Sequence, residues 1–167
     1  MNLSIPKNYG IRPADADDGS TLTAIIRSAF QEVAVRFNLN AENCPKHPSN
    51  CTEEWISAAF EKGVHYYLLA SGSEAIGCVA LEHASAEVCY LERLAVLPQH
   101  RSKGFGKALA AHALNQSADL GAKRVEIGII AAQTELRQWY QKLQFSVTGR
   151  KHFQHLPFEV MFMRREL

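Results

Sequence analysis

The sequence predicts an α+β fold (mixed α/β), with a central mixed, mostly antiparallel sheet of about seven strands and helices on both faces. Two observations favour it. Stretches with apolar residues at helical spacing interrupt a series of short β-rich runs, and short turns join the central runs. The predicted order is β-α-α-β-β-β-α-β-α-β-β, in which one strand–helix–strand unit should form a parallel, right-handed pair.

The chain of 167 residues is predicted to form one domain, 1–167, with a sizeable core. Its composition is ordinary for a globular protein, with 47% hydrophobic residues, 21% charged residues and a formal net charge of +1. Nothing in that balance suggests a nucleic acid or a membrane surface as partner. There is no apolar run of bilayer-spanning length and no signal-like N-terminus, so we expect a cytoplasmic protein.

The four cysteines, Cys44, Cys51, Cys78 and Cys89, are predicted to be free thiols, because no secretory signal accompanies them. Cys44, His47 and Cys51 are spaced like part of a metal site. A second ligand pair at zinc-finger spacing is missing, so we expect an ordinary loop and no metal.

The first third of the chain contains one strand and two helices. Residues 10–13 form a short strand, and Asp17 and Asp18 precede a helix. The buried face of that helix is predicted from its spacing to comprise Leu22, Ile25, Ile26, Ala29, Phe30 and Val33. Residues 38–51 contain two prolines and four asparagines and indicate a loop. Thr52 is a candidate N-cap for the second helix.

Three strands follow. Residues 64–70 and 76–83 are β-rich and flank the turn sequence SGSE, which indicates a hairpin. Residues 88–96 form the third strand, and a helix from about Phe105 ends near Gly121.

The C-terminal third alternates strands and a helix. Val125, Ile127 and Ile129 alternate within a strand at 124–130, and 134–143 is a helix with one apolar face. The remaining strands, 145–148 and 159–164, are predicted to form a hairpin around a long, basic loop that contains histidines.

Residues 97–107, LPQHRSKGFGK, concentrate positive charge at a predicted helix start. A helix N-terminus leaves backbone N–H groups without intrahelical partners and carries partial positive charge. Gly104 and Gly106 remove side-chain bulk, so an anion could approach the backbone closely. The segment predicts a phosphate or pyrophosphate cradle; the alternative is a turn with a solvated, basic rim.

Residues 90–109 closely resemble the acyl-CoA-binding core of the GNAT superfamily of N-acetyltransferases. The hallmark of that family, Gln/Arg-x-x-Gly-x-Gly/Ala, is met by RSKGFG at 101–106. IRPADADD at 11–18 is similar to the first strand and helix start of the family, and WYQKLQF at 139–145 to its late helix. The resemblance runs along nearly the whole chain and implies the family's fold.

The resemblance implies acetyl-CoA as co-substrate, no metal, and an amine acceptor that attacks directly in a ternary complex. In the family a bulge splays the fourth strand, which by position frees backbone N–H groups here in 94–96; Leu94 is the candidate donor to the oxyanion. The residues expected to bind the co-substrate are Leu94, Ala95, Val96, Arg101, Ser102, Lys103, Gly104, Phe105, Gly106, Lys107 and Gln133. Gln144 and Gln133 depart from the family pattern, in which Gly and often Asn stand at or near these positions.

Two residues are candidate catalytic groups. Glu92 matches the position of a catalytic Glu in several members and would act as general base, directly or through water; the alternative is a surface carboxylate paired with Arg93. Glu82, on the preceding strand, is a second candidate. Tyr140 matches the family's late-helix tyrosine, which often lies near the CoA sulfur; the alternative is a core aromatic.

The acceptor is not identified by the sequence. A small-molecule amine is the favoured acceptor, with a protein N-terminus or lysine as alternative; a non-catalytic acyl-CoA-binding module and a nucleotide-binding protein remain open. A homodimer is compatible with the family. We expect His112 to be structural and His100 to flank the phosphate site. Candidate walls of the acceptor pocket are His47, Trp55, His152, Phe153, His155 and Phe158.

Overall fold

The computed structural model describes residues 8–167 and confirms the predicted fold class. Its strands are β1 (Tyr9–Pro13), β2 (His65–Ser71), β3 (Glu74–His83), β4 (Val88–Val96), β5 (Arg124–Ile130), β6 (Ser146–His152) and β7 (Glu159–Glu166). Its α-helices are α1 (Gly19–Arg36), α2 (Glu53–Glu61), α3 (Phe105–Asp119) and α4 (Thr134–Lys142). Residues 1–7, which belong to the N-terminus predicted to lack a signal peptide, lie outside the described part.

The first two helical regions begin at residues whose side chains cap them. Asp17 and Asp18 directly precede α1, as predicted. They lie in a single turn of 3-10 helix that Asp15 caps: its carboxylate accepts the N–H of Asp17 in a capping box. Thr52 caps α2 as predicted, with its hydroxyl oxygen accepting the N–H of Trp55 at 3.4 Å. Across the described residues, every helix is too short or too polar to cross a bilayer.

The seven strands form one sheet in the order β1-β2-β3-β4-β5-β7-β6. All neighbouring pairs are antiparallel except β4 and β5, which are parallel, as the intervening helix predicts. That parallel pairing covers only the first part of β4, Val88–Tyr90 against Arg124–Glu126. Beyond Tyr90 the ladder between β4 and β5 stops, and the sheet opens at its centre.

The prediction for the last hairpin was wrong in extent. Strand β6 runs to His152, not to residue 148, and the connecting loop is confined to 153–158. Most residues of β6 are exposed because it is an edge strand, so its sequence carries little of the alternation that marks a half-buried strand. His152 therefore lies in a strand rather than in the loop.

The sheet is covered on both faces. Helices α3 and α4 cover one face over the main core, which includes Leu81, Leu109 and Val125. Helices α1 and α2 cover part of the other face over a second core that includes Ile26 and Ala80. The half of this second face over β5 and β7 is more open, and there Phe162 is 37% exposed. We call this side of the sheet the α1–α2 face.

Candidate active site

The loop between β4 and α3 has the backbone geometry expected of an anion cradle. Ser102 and Gly104 adopt left-handed conformations, with φ of 61° and 87°. Backbone of this kind is typical of turns whose N–H groups converge on an anion. Gly104 is the residue before α3, and no side chain caps the helix there. The first N–H groups of α3 are therefore left for an external acceptor.

The two glycines of the motif do different things. Gly104 supplies a left-handed backbone that costs other residues about 1–2 kcal/mol. Gly106 does not open a path to the ligand as expected, because a Cβ there would lie 3.5 Å from the indole of Trp139. A side chain at this position would lie between α3 and the indole of Trp139 in α4, at ordinary contact distance. Phe105 is buried against Tyr9 in the core, so only its backbone could face an anion.

Arg101 is bound by the protein itself. Its guanidinium donates to the carboxylate of Glu32 at 2.6 Å, to the carbonyl of Ala29 at 2.7 Å and to the carbonyl of Val96 at 3.3 Å. It therefore ties the end of β4 to α1. Lys103 and Lys107, in contrast, are exposed and form no hydrogen bond or ion pair with the described residues, so their charges remain available to an anion.

A bulge interrupts β4. Ala80 pairs with Glu92 and Cys78 with Ala95, so Val79 alone faces both Arg93 and Leu94. Arg93 carries the strain of the bulge, with φ of 52°. The bulge thus begins one residue before the predicted stretch 94–96 and includes Leu94. Ala95 and the residue after it are back in register with β3.

A pocket of about 240 Å³ lies where β4 and β5 separate. It is lined by Tyr90, Leu91, Glu92, Glu126, Ile127, Gly128 and Phe162. It places the predicted general base beside the gap between the strands. The cradle lies at the C-terminal end of the same strand, β4. The structure therefore puts the two predicted parts of the site along one strand.

Glu92 has the electrostatics of a tuned carboxyl group. Its side chain reaches solvent, but the surrounding protein displaces much of its water. This partial burial raises the pKa of Glu92, and Glu82, whose carboxyl lies within hydrogen-bonding range, raises that pKa further. Arg93 opposes the shift by attracting the carboxylate. A base with a pKa nearer to neutrality takes up a proton more readily than an ordinary carboxylate.

Tyr140 is buried in the main core, with 5% of its surface exposed, and its ring contacts those of Trp139 and Phe145. Burial raises the pKa of Tyr140 well above its usual range, so the hydroxyl stays protonated. That hydroxyl makes no hydrogen bond to any described residue. Tyr140 is thus a core aromatic whose hydroxyl is not used by the described residues; its role near the CoA sulfur stays a prediction.

Gln133 directly precedes α4, and its side chain makes no capping bond. Because β4 and β5 are parallel, their C-terminal ends lie at the same edge of the sheet. Gln133 therefore lies on the same edge as the loop between β4 and α3; its contact with the co-substrate stays a prediction.

The two loops predicted to wall the acceptor pocket pack against each other. Leu39 and Cys44 of the α1–α2 loop and Leu156 and Phe158 of the β6–β7 loop share a small apolar cluster with Ile130 at the end of β5. This contact closes one end of the α1–α2 face.

The histidines fall into structural and exposed groups. His47 is buried, and burial followed by the charge of Arg93 lowers its pKa to about 4, so it is neutral. Its Nδ1 accepts the N–H of Ser49, which leaves the proton on Nε2. His112 packs on Tyr67, as expected for a structural residue. His100 lies 3.4 Å from Glu74, and His155 is exposed.

The four cysteines are free, as predicted, and all four are buried. Within residues 8–167, the His, Cys, Asp and Glu side chains form no group that could hold a metal ion. The Nδ1 of His47 is hydrogen-bonded to Ser49, so this nitrogen is not free to bind a metal ion together with Cys44 or Cys51.

Two residues of this region were missed from the sequence. Arg93 was considered only as a partner for Glu92, and Tyr66 was not considered. The signal for Arg93 was available: Glu92 and Arg93 are adjacent charges in an otherwise apolar strand, and a bulge is one way to bring both to the same face. Tyr66 had no signal, because it stands in an aromatic pair within an ordinary strand.

Comparison with known proteins agrees with this geometry. The sequence model of the acetyltransferase (GNAT) family matches residues 26–145. YjgM of Escherichia coli K12, an uncharacterized N-acetyltransferase, is 24% identical over 148 residues, which cover 87% of this chain and 86% of YjgM.

Solved structures share the fold. The structure of yncA from Salmonella typhimurium, with its cofactor acetyl-CoA, has a TM-score of 0.71 at 18% identity and covers 96% of this chain and 95% of its own. The ribosomal-protein-S18-alanine N-acetyltransferase of Escherichia coli has a TM-score of 0.76 at 14% identity, covering 95% and 93% of the two chains.

Proposed function

The chain belongs to the GNAT family of acetyltransferases and uses acetyl-CoA as acyl donor, and we propose that it acetylates the primary amine of a small molecule by direct attack in a ternary complex. The proposal treats the whole chain as one catalytic domain. The observation that carries it is the position of Glu92, which lies in the pocket between the separated strands β4 and β5.

The donor side is built from backbone and lysines. The uncapped start of α3 offers N–H groups to the pyrophosphate of CoA, and Gly104 gives the turn its left-handed shape. Lys103 and Lys107 add charge from the rim. Arg101 acts indirectly, because its guanidinium holds the loop against α1.

The acyl group of acetyl-CoA is an activated thioester, and its carbonyl carbon is the centre that the amine attacks. As the nitrogen–carbon bond forms, the carbonyl oxygen gains negative charge, which the N–H of Leu94 in the bulge is placed to stabilise. When the carbon–sulfur bond breaks, the thiolate takes a proton from the hydroxyl of Tyr140, and the resulting tyrosinate regains one from the nitrogen as the neutral amide forms. That hydroxyl stays protonated because burial raises the pKa of Tyr140.

The amine must also lose a proton. An amine with a pKa near 10.4 costs roughly 4–5 kcal/mol to deprotonate at pH 7. Glu92 accepts that proton, directly or through a water molecule, and its raised pKa brings it closer to the amine in basicity. Glu82 supports this role because it lies beside Glu92 and raises its proton affinity.

A small acceptor is favoured over a protein because the two loops that border the α1–α2 face pack on each other. A peptide chain needs an open groove, whereas a pocket of about 240 Å³ on this face suits a small amine.

Release of CoA thiol from acetyl-CoA, measured with a panel of small amines and with short peptides, tests the proposal. We expect turnover with small amines. Turnover only with peptides would identify a protein N-terminus or lysine as acceptor. Stabilisation by acetyl-CoA without any turnover, in a thermal-shift titration that includes CoA, ATP and NAD, would instead indicate a non-catalytic acyl-CoA-binding module.

A further inference from the structure

Arg93 lies on the α1–α2 face, next to the predicted base. Its guanidinium carbon is 5.9 Å from the centre of the Trp55 ring in α2. Glu92 also faces this side, because its cross-strand neighbour Ala80 belongs to the α1–α2 core and its carboxyl meets that of Glu82. Side chains of successive strand residues normally point to opposite faces. The bulge removes that alternation and presents an acid and a base together.

The guanidinium of Arg93 has no anionic partner in residues 8–167. It is half-buried, yet it makes neither a hydrogen bond nor an ion pair within that range, and Glu92 lies beyond ion-pair distance. The contrast with Arg101 is direct, since Arg101 has three acceptors from the protein. A half-buried guanidinium without acceptors forgoes the strong, paired hydrogen bonds that carboxylates and phosphates provide.

Two further groups face the same place. The ammonium of Lys46, in the α1–α2 loop, lies 5.4 Å from the centre of the same Trp55 ring and is likewise without an anion among the described residues. Tyr66 is only 5% exposed, and its hydroxyl makes no hydrogen bond to a described residue. Burial raises the pKa of Tyr66 to about 12, with the charges of Arg93 and Glu92 acting on it in opposite directions. This hydroxyl is therefore available to donate a hydrogen bond to a ligand.

The charges around the bulge are separated by sign. Glu82 and Glu92 lie toward the pocket, together with Glu126 on β5. Arg93 and Lys46 lie toward α2, where both approach the ring of Trp55. An amine approaching Glu92 therefore has a cationic region within reach of any negative group on the same molecule.

We propose that the acceptor is an amine that also carries a carboxylate or phosphate group, and that Arg93, assisted by Lys46 and the hydroxyl of Tyr66, binds that anionic group. This inference rests on the proposed function, and it narrows the acceptor from amines in general to anionic amines. Recognition by Arg93 would leave the amino group of the acceptor beside Glu92 and direct it to the acyl carbon.

The test uses matched pairs of amines that differ only in the anion. Amino acids are compared with their amides, and phosphoethanolamine and 2-aminoethylphosphonate with ethanolamine. Two readouts are taken on the full chain: CoA release, and the thermal shift that each amine causes in the presence of CoA. The carboxylate and phosphate arms distinguish the two sources of the anion.

We expect the anionic member of at least one pair to have a kcat/KM about 10- to 100-fold above its neutral counterpart, as for a charge-assisted hydrogen bond. Arg93→Gln should abolish that preference, and Arg93→Lys should restore part of it. Lys46→Gln, a change at an exposed residue, should weaken the preference without affecting folding. Arg150→Gln is the control. Arg150, on the edge strand β6, is the cross-strand neighbour of Met161 in the main core, so its side chain lies on the face of the sheet opposite to Arg93.

The outcomes separate the two proposals. Acetylation of neutral and anionic amines with equal kcat/KM would overturn the anion site and leave the proposed function standing. Thermal shifts by anionic amines that are lost in Arg93→Gln, without acetylation of any amine, would support the anion site and contradict the proposed function. Thermal shifts and turnover that persist unchanged in both Arg93→Gln and Lys46→Gln would also overturn the anion site.

Discussion

Glu92 and Arg93 are consecutive residues of β4, yet both side chains lie on the α1–α2 face of the sheet. One inserted residue produces this arrangement, because the bulge opposite Val79 cancels the alternation of the strand. The same bulge lies just beyond the point where β4 and β5 stop pairing. A single backbone irregularity therefore opens the sheet and sets the charges beside the opening.

Replacing Glu92 by Gln should lower kcat/KM for acetyl transfer by roughly 100-fold, because Gln cannot accept the proton of the amine. In the wild-type enzyme, activity should rise with pH through the raised pKa of Glu92, and the variant should lose that limb of the pH profile. Steady-state kinetics across pH measures both. Glu61→Gln, at an exposed residue at the end of α2, is the control. An unchanged pH profile would remove Glu92 from the mechanism.

Glu92→Gln should lower activity but raise stability relative to the wild type as pH rises. The folded pKa of Glu92 is raised above its unfolded value, so the folded protein holds the proton more tightly. The wild-type protein therefore loses stability as pH rises from the unfolded pKa through the folded one, whereas Glu92→Gln does not. The melting temperature of the variant, relative to that of the wild type, should therefore rise with pH between the unfolded and folded pKa of Glu92.

Glu54→Gln provides a control of opposite direction. The backbone N–H of Glu54 and the side chain of Thr52 lower the pKa of Glu54. This carboxylate stabilises the fold above its unfolded pKa and loses that effect as pH falls through the folded one. The stability of the Glu54 variant should therefore fall relative to that of the wild type as pH rises. The same trend in both variants would contradict the shift assigned to Glu92.

Tyr140→Phe should reduce kcat by roughly 100-fold if the hydroxyl protonates the departing thiolate. Stability should change by less than about 1 kcal/mol, because the hydroxyl has no partner among residues 8–167 and its removal leaves none unsatisfied. Urea unfolding and single-turnover kinetics measure the two effects. A large loss of stability with kcat unchanged would make Tyr140 a core aromatic only.

Gly104 and Gly106 should respond differently to alanine. Gly104→Ala places a Cβ on a left-handed backbone and should cost about 1–2 kcal/mol while weakening the thermal shift caused by acetyl-CoA. Gly106→Ala should be tolerated, since its Cβ would make an ordinary contact with Trp139 at 3.5 Å. Equal effects of the two substitutions would contradict the separate roles assigned to them.

Most of the fold could be predicted because apolar periodicity and capping are local. Strands β4 and β5 have the predicted bounds, and Thr52 caps α2 as expected. The extent of β6 could not be predicted, because an exposed edge strand shows little pattern in its sequence.

In the candidate site, too, the features set by local sequence could be predicted and the long-range contacts could not. The turn at Gly104 could be predicted from the motif, which is local. The attachment of Arg101 to Ala29 and Glu32 joins residues about 70 positions apart, so local patterns contain no trace of it. Contact between the α1–α2 and β6–β7 loops is equally long-range. The resemblance to a family supplied the position of Glu92, but only the structure shows that Arg93 shares its face.

Helix α4 ends in a Schellman motif that uses glutamine where glycine is usual. The N–H of Phe145 donates to the carbonyl of Tyr140 at 3.1 Å, and the N–H of Gln144 donates to that of Gln141 at 2.9 Å. The rings of Tyr140 and Phe145 make the apolar contact that accompanies this motif. Gln144 must therefore be left-handed, and its φ is 68°. The departure from the family pattern changes the residue and keeps the geometry.

Gln144→Gly should raise the free energy of unfolding by up to about 1 kcal/mol, because it relieves left-handed strain that exceeds the entropy a glycine loses on folding. The side chain of Gln144 is exposed, so little packing is lost. Gln141→Gly, inside the same helix, should instead cost about 1 kcal/mol. Chemical denaturation of both variants measures the difference. Destabilisation by both would mean that Gln144 holds its conformation without strain, and that its side chain contributes to the end of the helix that presents Tyr140.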